Sequence, residues 1–487
     1  VNIIHKVFLW FNEHNSYKNG GRKMYKDEKT RKLAEMPIPK LLTEMSIPAI
    51  IGMLVTAIYN IVDTIFVGRI GTEAIGAVTI AFPLFMVISA IGLTFGIGSA
   101  SFISRLLGEN NKEMANRVST TSIITTFILG IIMAAGGLYY LRPLLRLFGA
   151  TDVIMPYAIN YTAIIILGSI FTMSNMNMNN MVRAEGSAKM SMIALSTGAI
   201  LNIILDPILI FTFEMGIAGA STATVIAQAF STVMLITFYK SDKSVLDFKL
   251  REFSPSLSIY TEIMKIGVPT LIRQLLSSVA MTVLNNMAAV YGASVVASVG
   301  IINRVFSFGF FVIAGFTQGF QPVAGFNFGA RQIERLKDSI KVTIKRTTFF
   351  GIALFVVFFF FNQQVISFFS QDPEVIQIAS TGLKLYALVL PLLGFAITIN
   401  TLFQALGHGV PATILSLSRQ GFFFIPAIIL LSRSFGIQGL FMAQPVADGL
   451  TFLLTVILFT FVYKEIKELE GEAGIQNPNL EYNKESA

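Results

Sequence analysis

Two carboxylates interrupt apolar runs that are otherwise fit to cross a bilayer. Asp63 lies inside SIPAIIGMLVTAIYNIVDTIFVGRIG (46–71), and Asp206 inside LNIILDPILIF (201–211). A carboxylate at that depth costs about 2.5–3.5 kcal/mol on insertion scales, so each needs a partner or a task. Tyr59 precedes Asp63 by one helical turn and Asn60 precedes it by three residues, which puts all three on one face. Asn202 stands one turn before Asp206, and Pro207 frees the carbonyl of Ile203 as a further oxygen. Counting inward from the span ends at ~1.5 Å per residue, Thr224 and Tyr161 fall in the same layer, in the outer half of the membrane. Two acids a few ångströms apart in low dielectric do not both ionise cheaply unless a cation lies between them. The oxygen-rich set therefore suits a hard monovalent cation or a shared proton, with Asp63, Asn202, Asp206 and Thr224 as ligands for Na⁺. The plainer alternative is that Asp63 hydrogen-bonds Asn202 or Thr224 and only locks the helices together.

The elements that position these groups are membrane helices. Of 487 residues 54% are hydrophobic and 13% charged, with mean hydropathy +0.68, and the charges cluster between long apolar runs. An all-α polytopic membrane protein is expected, with twelve spans at roughly 46–69, 75–102, 119–141, 153–179, 189–212, 216–239, 259–290, 295–323, 341–364, 378–405, 411–433 and 436–463. Placing the N-terminus in the cytoplasm puts about 28 Lys and Arg on that side and about 4 outside, so both termini are expected inside. Topology thus accounts for the net charge of +8, and no nucleic-acid partner is expected. The expected divisions are a basic N-terminal segment (1–45), a first lobe (46–239), a linker (240–258), a second lobe (259–463) and a polar tail (464–487) that becomes disordered after an amphipathic turn. Met24 offers an alternative start, and the residues before it are expected to carry no function.

The halves repeat. A shift of 221 residues lays Pro48 on Pro269, Gly71 on Gly292, Gly108 on Gly329 and Gly186 on Gly407, and a shift of 220 lays GIAG (216–219) on GIQG (436–439). Six helices per unit keep the same orientation, which predicts two six-helix bundles related by a pseudo-twofold axis along the membrane normal. The chemistry is not repeated: Asp63 falls on Leu284, Tyr59 on Ala280, Asn202 on Phe423 and Asp206 on Ala427. An ionisable site is expected in the first half alone.

Other polar residues are weaker candidates. Asn175 and Asn179 near the inner end of span 4 either line a cavity or bond between helices. In the second half Arg273, Arg304, Arg419, Gln444 and Asp448 lie within spans, and an Asp448–Arg304 pair is expected, serving structure or substrate contact. GIGSAS (96–101) reads as close helix packing, since no Lys-Ser/Thr of a phosphate loop follows it. With no cysteine, and with His5, His14 and His408 unpaired with acids at ligand spacing, no enzyme chemistry is expected.

The residues MPIPKLL (36–42), YNIVDTIFVGRIG (59–71), RAEG (183–186), NIILDP (202–207) and GIAGASTATV (216–225) resemble those of multidrug and toxic compound extrusion (MATE) transporters, in the bacterial MepA-like branch. The resemblance covers about residues 36–463. It implies two lobes in a V around a central cavity, and antiport of small lipophilic cations against Na⁺ or H⁺ by a monomer in a bacterial plasma membrane, with no cofactor besides the coupling ion. It maps the family's cation site onto Asp63, Asn202, Asp206 and Thr224, with Tyr59 and Tyr161 nearby, and Pro48 onto a proline implicated in bending. Some members carry coupling acids in helices 7 and 10; here those spans have only Glu262, at the inner edge, so no such second-lobe site is expected. A flippase for lipid-linked saccharides is the alternative from the same superfamily, with Arg273, Arg304 and Arg419 as its cationic wall.

Overall fold

The computed structural model describes residues 27–475, and no strand occurs among them. A short helix, α1 (Glu28–Glu35), leads into the first span, α2 (Ile38–Gly68), followed by α3 (Thr72–Gly108) and α4 (Lys112–Tyr139). After α5 (Leu141–Leu147), the fourth span is a pair, α6 (Met155–Leu167) and α7 (Ser169–Ala184), bent by 48°. The fifth is α8 (Ala188–Pro207) with a π turn at Ile208–Thr212, and the sixth is α9 (Ile217–Tyr239). The second bundle follows the same plan. It comprises α10 (Leu257–Ala289), α11 (Ala293–Gly329), α12 (Ile333–Phe360), the short α13 (Asn362–Ser367), and a pair α14 (Pro373–Ala387) and α15 (Leu390–Leu406) bent by 52°. Last come α16 (Gly409–Leu417), a π segment at Ser418–Phe424 and α17 (Ile425–Ile475), which Gly436 breaks into spans 11 and 12. All twelve expected spans are present.

The repeat is visible in the backbone. Gly216 opens the sixth span at φ 56°, ψ −134°, and Gly436 opens the twelfth at φ 60°, ψ −137°. Both lie where a Cβ is strained, which is why the motif keeps glycine there. Gly108 and Gly329, one repeat apart, cross at the terminus-bearing end. A Cβ on Gly108 would stand 2.1 Å from the Phe326 carbonyl oxygen, and one on Gly329 would stand 2.1 Å from that of Arg105. Small residues let these backbones meet across the pseudo-axis.

The bundles touch mainly through α3 with α10 and α11, and through α2 with α11. The hydrogen bonds joining them run from Met53–Gln318 at mid-depth to the terminus-bearing end, where Ser46 donates to the Phe316 carbonyl at 3.0 Å and Arg346 to Thr43 at 2.7 Å. Ile50 packs against Gly315 in this seam. Three turns farther out on the same faces, Ile61 is 41% exposed and Arg304 is exposed. Faces that meet at one end therefore diverge toward the other, leaving a cleft open away from the termini.

Several expected boundaries are corrected: the third and ninth spans start at Lys112 and Ile333 rather than 119 and 341, and both ends of the described chain differ. The first helix begins at Ile38 rather than 46, because Ile38, Leu41, Leu42 and Met45 are buried apolar residues, and α1 before it is also docked through Leu33 and Ala34. The last helix runs on to Ile475 instead of ending near 463, held by Glu465 at 3.3 Å from His408 and by a Lys337–Glu470 ion pair. Met24, His5, His14 and the tail after 475 lie outside the described residues.

Candidate functional site

Residues distant in sequence converge in the half of the first bundle that lies away from the termini. The α2 face that packs on α8 at Gly52, against Leu195, continues outward through Thr56 and Tyr59 to Asp63. There the Asp63 carboxyl meets that of Asp206, close enough for the two to share a hydrogen bond. Asp206 is fully buried at the end of α8, where Pro207 and the π turn interrupt the backbone ladder, and Asp63 is half-buried. Tyr59 and Tyr161, both half-buried, border this carboxyl pair. Asn60, expected on the same face, is instead exposed.

Asn202 links the acids to α9. With its amide nitrogen toward Asp206, Asn202 donates to Oδ2 at 3.1 Å and accepts from the backbone N–H and hydroxyl of Thr224 at 3.1 and 3.3 Å. The opposite orientation sets its oxygen against a carboxylate oxygen and its nitrogen against an N–H, so the network favours the first. Turned over, the same amide would offer oxygen to a cation lying between the carboxylates. The amide can thus serve either an ionised, hydrogen-bonded Asp206 or a bound ion, without backbone movement. Asp63, Asn202, Asp206, Thr224, Tyr59 and Tyr161 are all brought together. Among the described residues no group of three or more His, Cys, Asp or Glu forms a metal-binding cluster.

The second bundle arranges its polar residues differently from expectation. Asp448 pairs with Arg419, whose Nε donates to Oδ1 at 2.7 Å, and not with Arg304, which is exposed on the cleft side of α11. Gln444 Nε2 donates to the other Asp448 oxygen at 2.9 Å. Span 11 passes beside span 12 over this stretch, whereas Arg304 projects from the opposite face of its helix to the buried Ile302 and Val305. In span 4, Asn175 and Asn179 are buried and bond within the bundle: Asn179 donates to Asn175 and accepts from Ser191 Oγ at 3.0 Å. Their neighbours Asn180 and Arg183 line the polar gap between bundles beside Gln318 and Gln321. Pro48 sits within an unbroken α2 two residues past Ser46, at the seam.

The comparisons with known proteins follow the same lines. The MatE family model matches residues 48–208 and again 269–429, two segments offset by the 221 residues of the internal repeat. The chain belongs to the MatE family. A multidrug export protein MepA of Staphylococcus haemolyticus (strain JCSC1435) is 30% identical over 434 residues, 89% of this chain and 96% of the relative. Its counterpart in Staphylococcus aureus (strain MSSA476) is 29% identical over the same coverage. The solved outward-facing conformation of a multidrug resistance MATE family transporter of the MOP superfamily superposes with a TM-score of 0.86 at 28% identity, covering 92% of this chain and all of that one.

This MatE chain is also closed at its terminus-bearing end, by contacts with no periodic signature in the sequence. Arg105 of α3, 8% exposed, donates to Glu262 of α10 at 3.0 Å and to Ser101 at 2.9 Å, tying the bundles together. Glu185, fully buried in the RAEG turn, accepts from Ser187 and Ser244 hydroxyls at 2.7 and 2.8 Å and from the Val245 and Leu246 N–H groups at 2.9 and 3.2 Å. It thereby anchors the linker. Lys29 of α1 donates to Ser187 at 2.6 Å, while Arg335 of the second bundle donates to the Leu33 and Met36 carbonyls at 3.1 and 2.9 Å, so α1 braces both bundles. Acids in a basic inner loop were the available signal.

Proposed function

We propose that the chain is a cation-coupled antiporter exporting small lipophilic cations by alternating access, in a bacterial plasma membrane with both termini cytoplasmic. The observation that carries this reading is the buried Asp206 against Asp63, in the half of the molecule where the bundles part. An ion, Na⁺ or H⁺, entering the open cleft reaches the acids from the outside. Binding removes the cost of a doubly ionised pair and lets the Asn202 amide release Asp206. The consequence passes along α2, because the face that bears Asp63 and the face that bears Ser46 and Ile50 belong to one helix. Pro48 lacks an N–H, so the Glu44 carbonyl has no ladder partner there and α2 bends most cheaply at the seam. Ion and drug each favour a different arrangement of the bundles, and that linkage is reciprocal. The multidrug export named for the staphylococcal relatives supports lipophilic drugs as cargo.

Efflux of a fluorescent lipophilic cation from proteoliposomes, with Na⁺ and pH gradients imposed separately, tests the reading. Acceleration by one gradient alone identifies the ion, and Asp63→Asn is expected to abolish that acceleration. An Asp63→Asn variant that responds to gradients like the parent would sink the mechanism.

A further inference from the structure

Outside the seam between the bundles, α4 and α9 barely touch, and both lean on α7. Between them runs a crevice of about 290 Å³, with Ile124, Phe127 and Ile131 of α4 on one wall, Ile236 of α9 on the other and Met178 of α7 as its floor. Its lining is apolar throughout, since the Tyr239 hydroxyl is turned inward and donates to the Met178 carbonyl at 3.4 Å. From Ile123 to Ile131 it follows α4 for ~12 Å, and Ile128 and Ile131 stay exposed at its mouth. Ion coupling makes no use of it. In the second bundle aromatic rings occupy the equivalent place. Phe459, the counterpart of Tyr239 at a shift of 220, packs on Phe395 at 5.9 Å, and Phe395 stands where the first bundle has Ser174.

The linker closes the end of the crevice nearest the termini with Phe248 and Leu250. It is pinned over α4, where the Asp247 N–H donates to Asn116 Oδ1 at 2.9 Å and the Ser254 N–H to the Thr121 hydroxyl at 3.0 Å. Leu250, Phe253 and Leu257 are nevertheless exposed, and so are the neighbouring Lys249 and Arg251. A segment that offers apolar and basic side chains together suits the bilayer interface, with the first in the acyl region and the second among headgroups. The local acids are already shared: Asp247 lies 3.4 Å from Lys249 and 3.9 Å from Lys112, and Glu252 lies 3.7 Å from Arg251 and 3.9 Å from Arg117. Lys240, exposed directly after Tyr239, has no carboxylate partner among the described residues. The roof therefore carries a positive surplus.

We infer that this crevice is a site for an anionic phospholipid, with one acyl chain along α4 between Phe127 and Ile236 and the phosphate held at the linker by Lys240, Lys249 and Arg251. An acyl chain supplies the van der Waals partners that an apolar crevice facing hydrocarbon otherwise lacks. The basic side chains select the headgroup, each by about fivefold. The inference does not rest on the export reading.

Native mass spectrometry of the full chain with phosphatidylglycerol or phosphatidylcholine of identical acyl chains tests it. The parent is expected to retain one phosphatidylglycerol at least about fivefold more tightly than phosphatidylcholine. Lys240→Gln combined with Arg251→Gln is expected to remove that preference and leave phosphatidylcholine within about twofold. Ile124→Trp, which fills the crevice, is expected to weaken both lipids by about tenfold, the loss of about two buried methylenes. An unfolding midpoint in lipid-free detergent close to the parent's certifies that each variant is folded, and the surface pair decides the matter even where Ile124→Trp does not fold. Equal retention of the two lipids by the parent overturns the anionic site. Retention untouched by Ile124→Trp places the lipid elsewhere and overturns the crevice. A dimer in the parent spectrum that Ile124→Trp abolishes assigns the face to a second copy of the chain and likewise overturns the inference.

Discussion

The interiors of the two bundles share a scaffold and differ in chemistry. At Asp63, Asn202 and Asp206 the first bundle holds acids and an amide; at the equivalent Leu284, Phe423 and Ala427 the second holds apolar packing. Leu284 is 4% exposed and packs with Ala280 and Ala288, so that layer is dry core. One turn nearer the termini the second bundle has its own acid, Asp448, but there Arg419 and Gln444 satisfy both oxygens. The first bundle's acids face only each other, tyrosines and neutral donors. Duplication thus fixes where side chains project, and residue identity decides whether a buried acid is given a cationic partner by the protein or left without one. A buried carboxylate counts as a coupling candidate when its charge lacks an internal partner.

That contrast can be broken from the second bundle first. Asp448→Ala leaves the half-buried Arg419 without its carboxylate and Gln444 without its acceptor, and is expected to cost about 1–3 kcal/mol of stability, read as a lower thermal unfolding midpoint in detergent. An unchanged midpoint would show that the pair is not structural. Leu284→Asp copies the first bundle's acid into the dry layer without its partners. It is expected to destabilise by about 2.5–3.5 kcal/mol and to confer no ion-dependent stabilisation. Protection of this variant by Na⁺ or by low pH would mean the second scaffold is also competent for ions. The smallest effect is expected at Thr224→Val, which removes one hydroxyl from Asn202 and the ion layer. Its expected cost is about 0.5–1.5 kcal/mol in ion affinity, measured from the ion dependence of efflux, with the unfolding midpoint little moved. A full loss of coupling there would make the hydroxyl a principal ligand.

The twelve spans, the repeat and the acid layer were all legible in the chain. Lipid forces each backbone group to be satisfied within its helix, so apolar length and Gly or Pro punctuation carry most of the fold. An acid inside such a run stands out because its cost is high, and counting residues from span ends places it in depth, since the rise per residue is constant. Sequence alone thus determined which acids share a layer. It did not determine azimuth or partners. Depth alone pairs Asp448 with Arg304, whereas Arg419 is its neighbour, because depth is one coordinate and the choice between helix faces depends on packing. Helix ends were misplaced for a related reason: α1, the start of α2 and the extension to Ile475 are polar or mixed in sequence, and burial against other segments orders them. The inner seam of Arg105 with Glu262, and the clasp of Glu185 on the linker, join residues 157 and 59 to 61 positions apart. Such contacts leave no local periodicity, so the closure of one end of the cleft, and with it the end from which Asp63 and Asp206 are approached, was decided by tertiary structure.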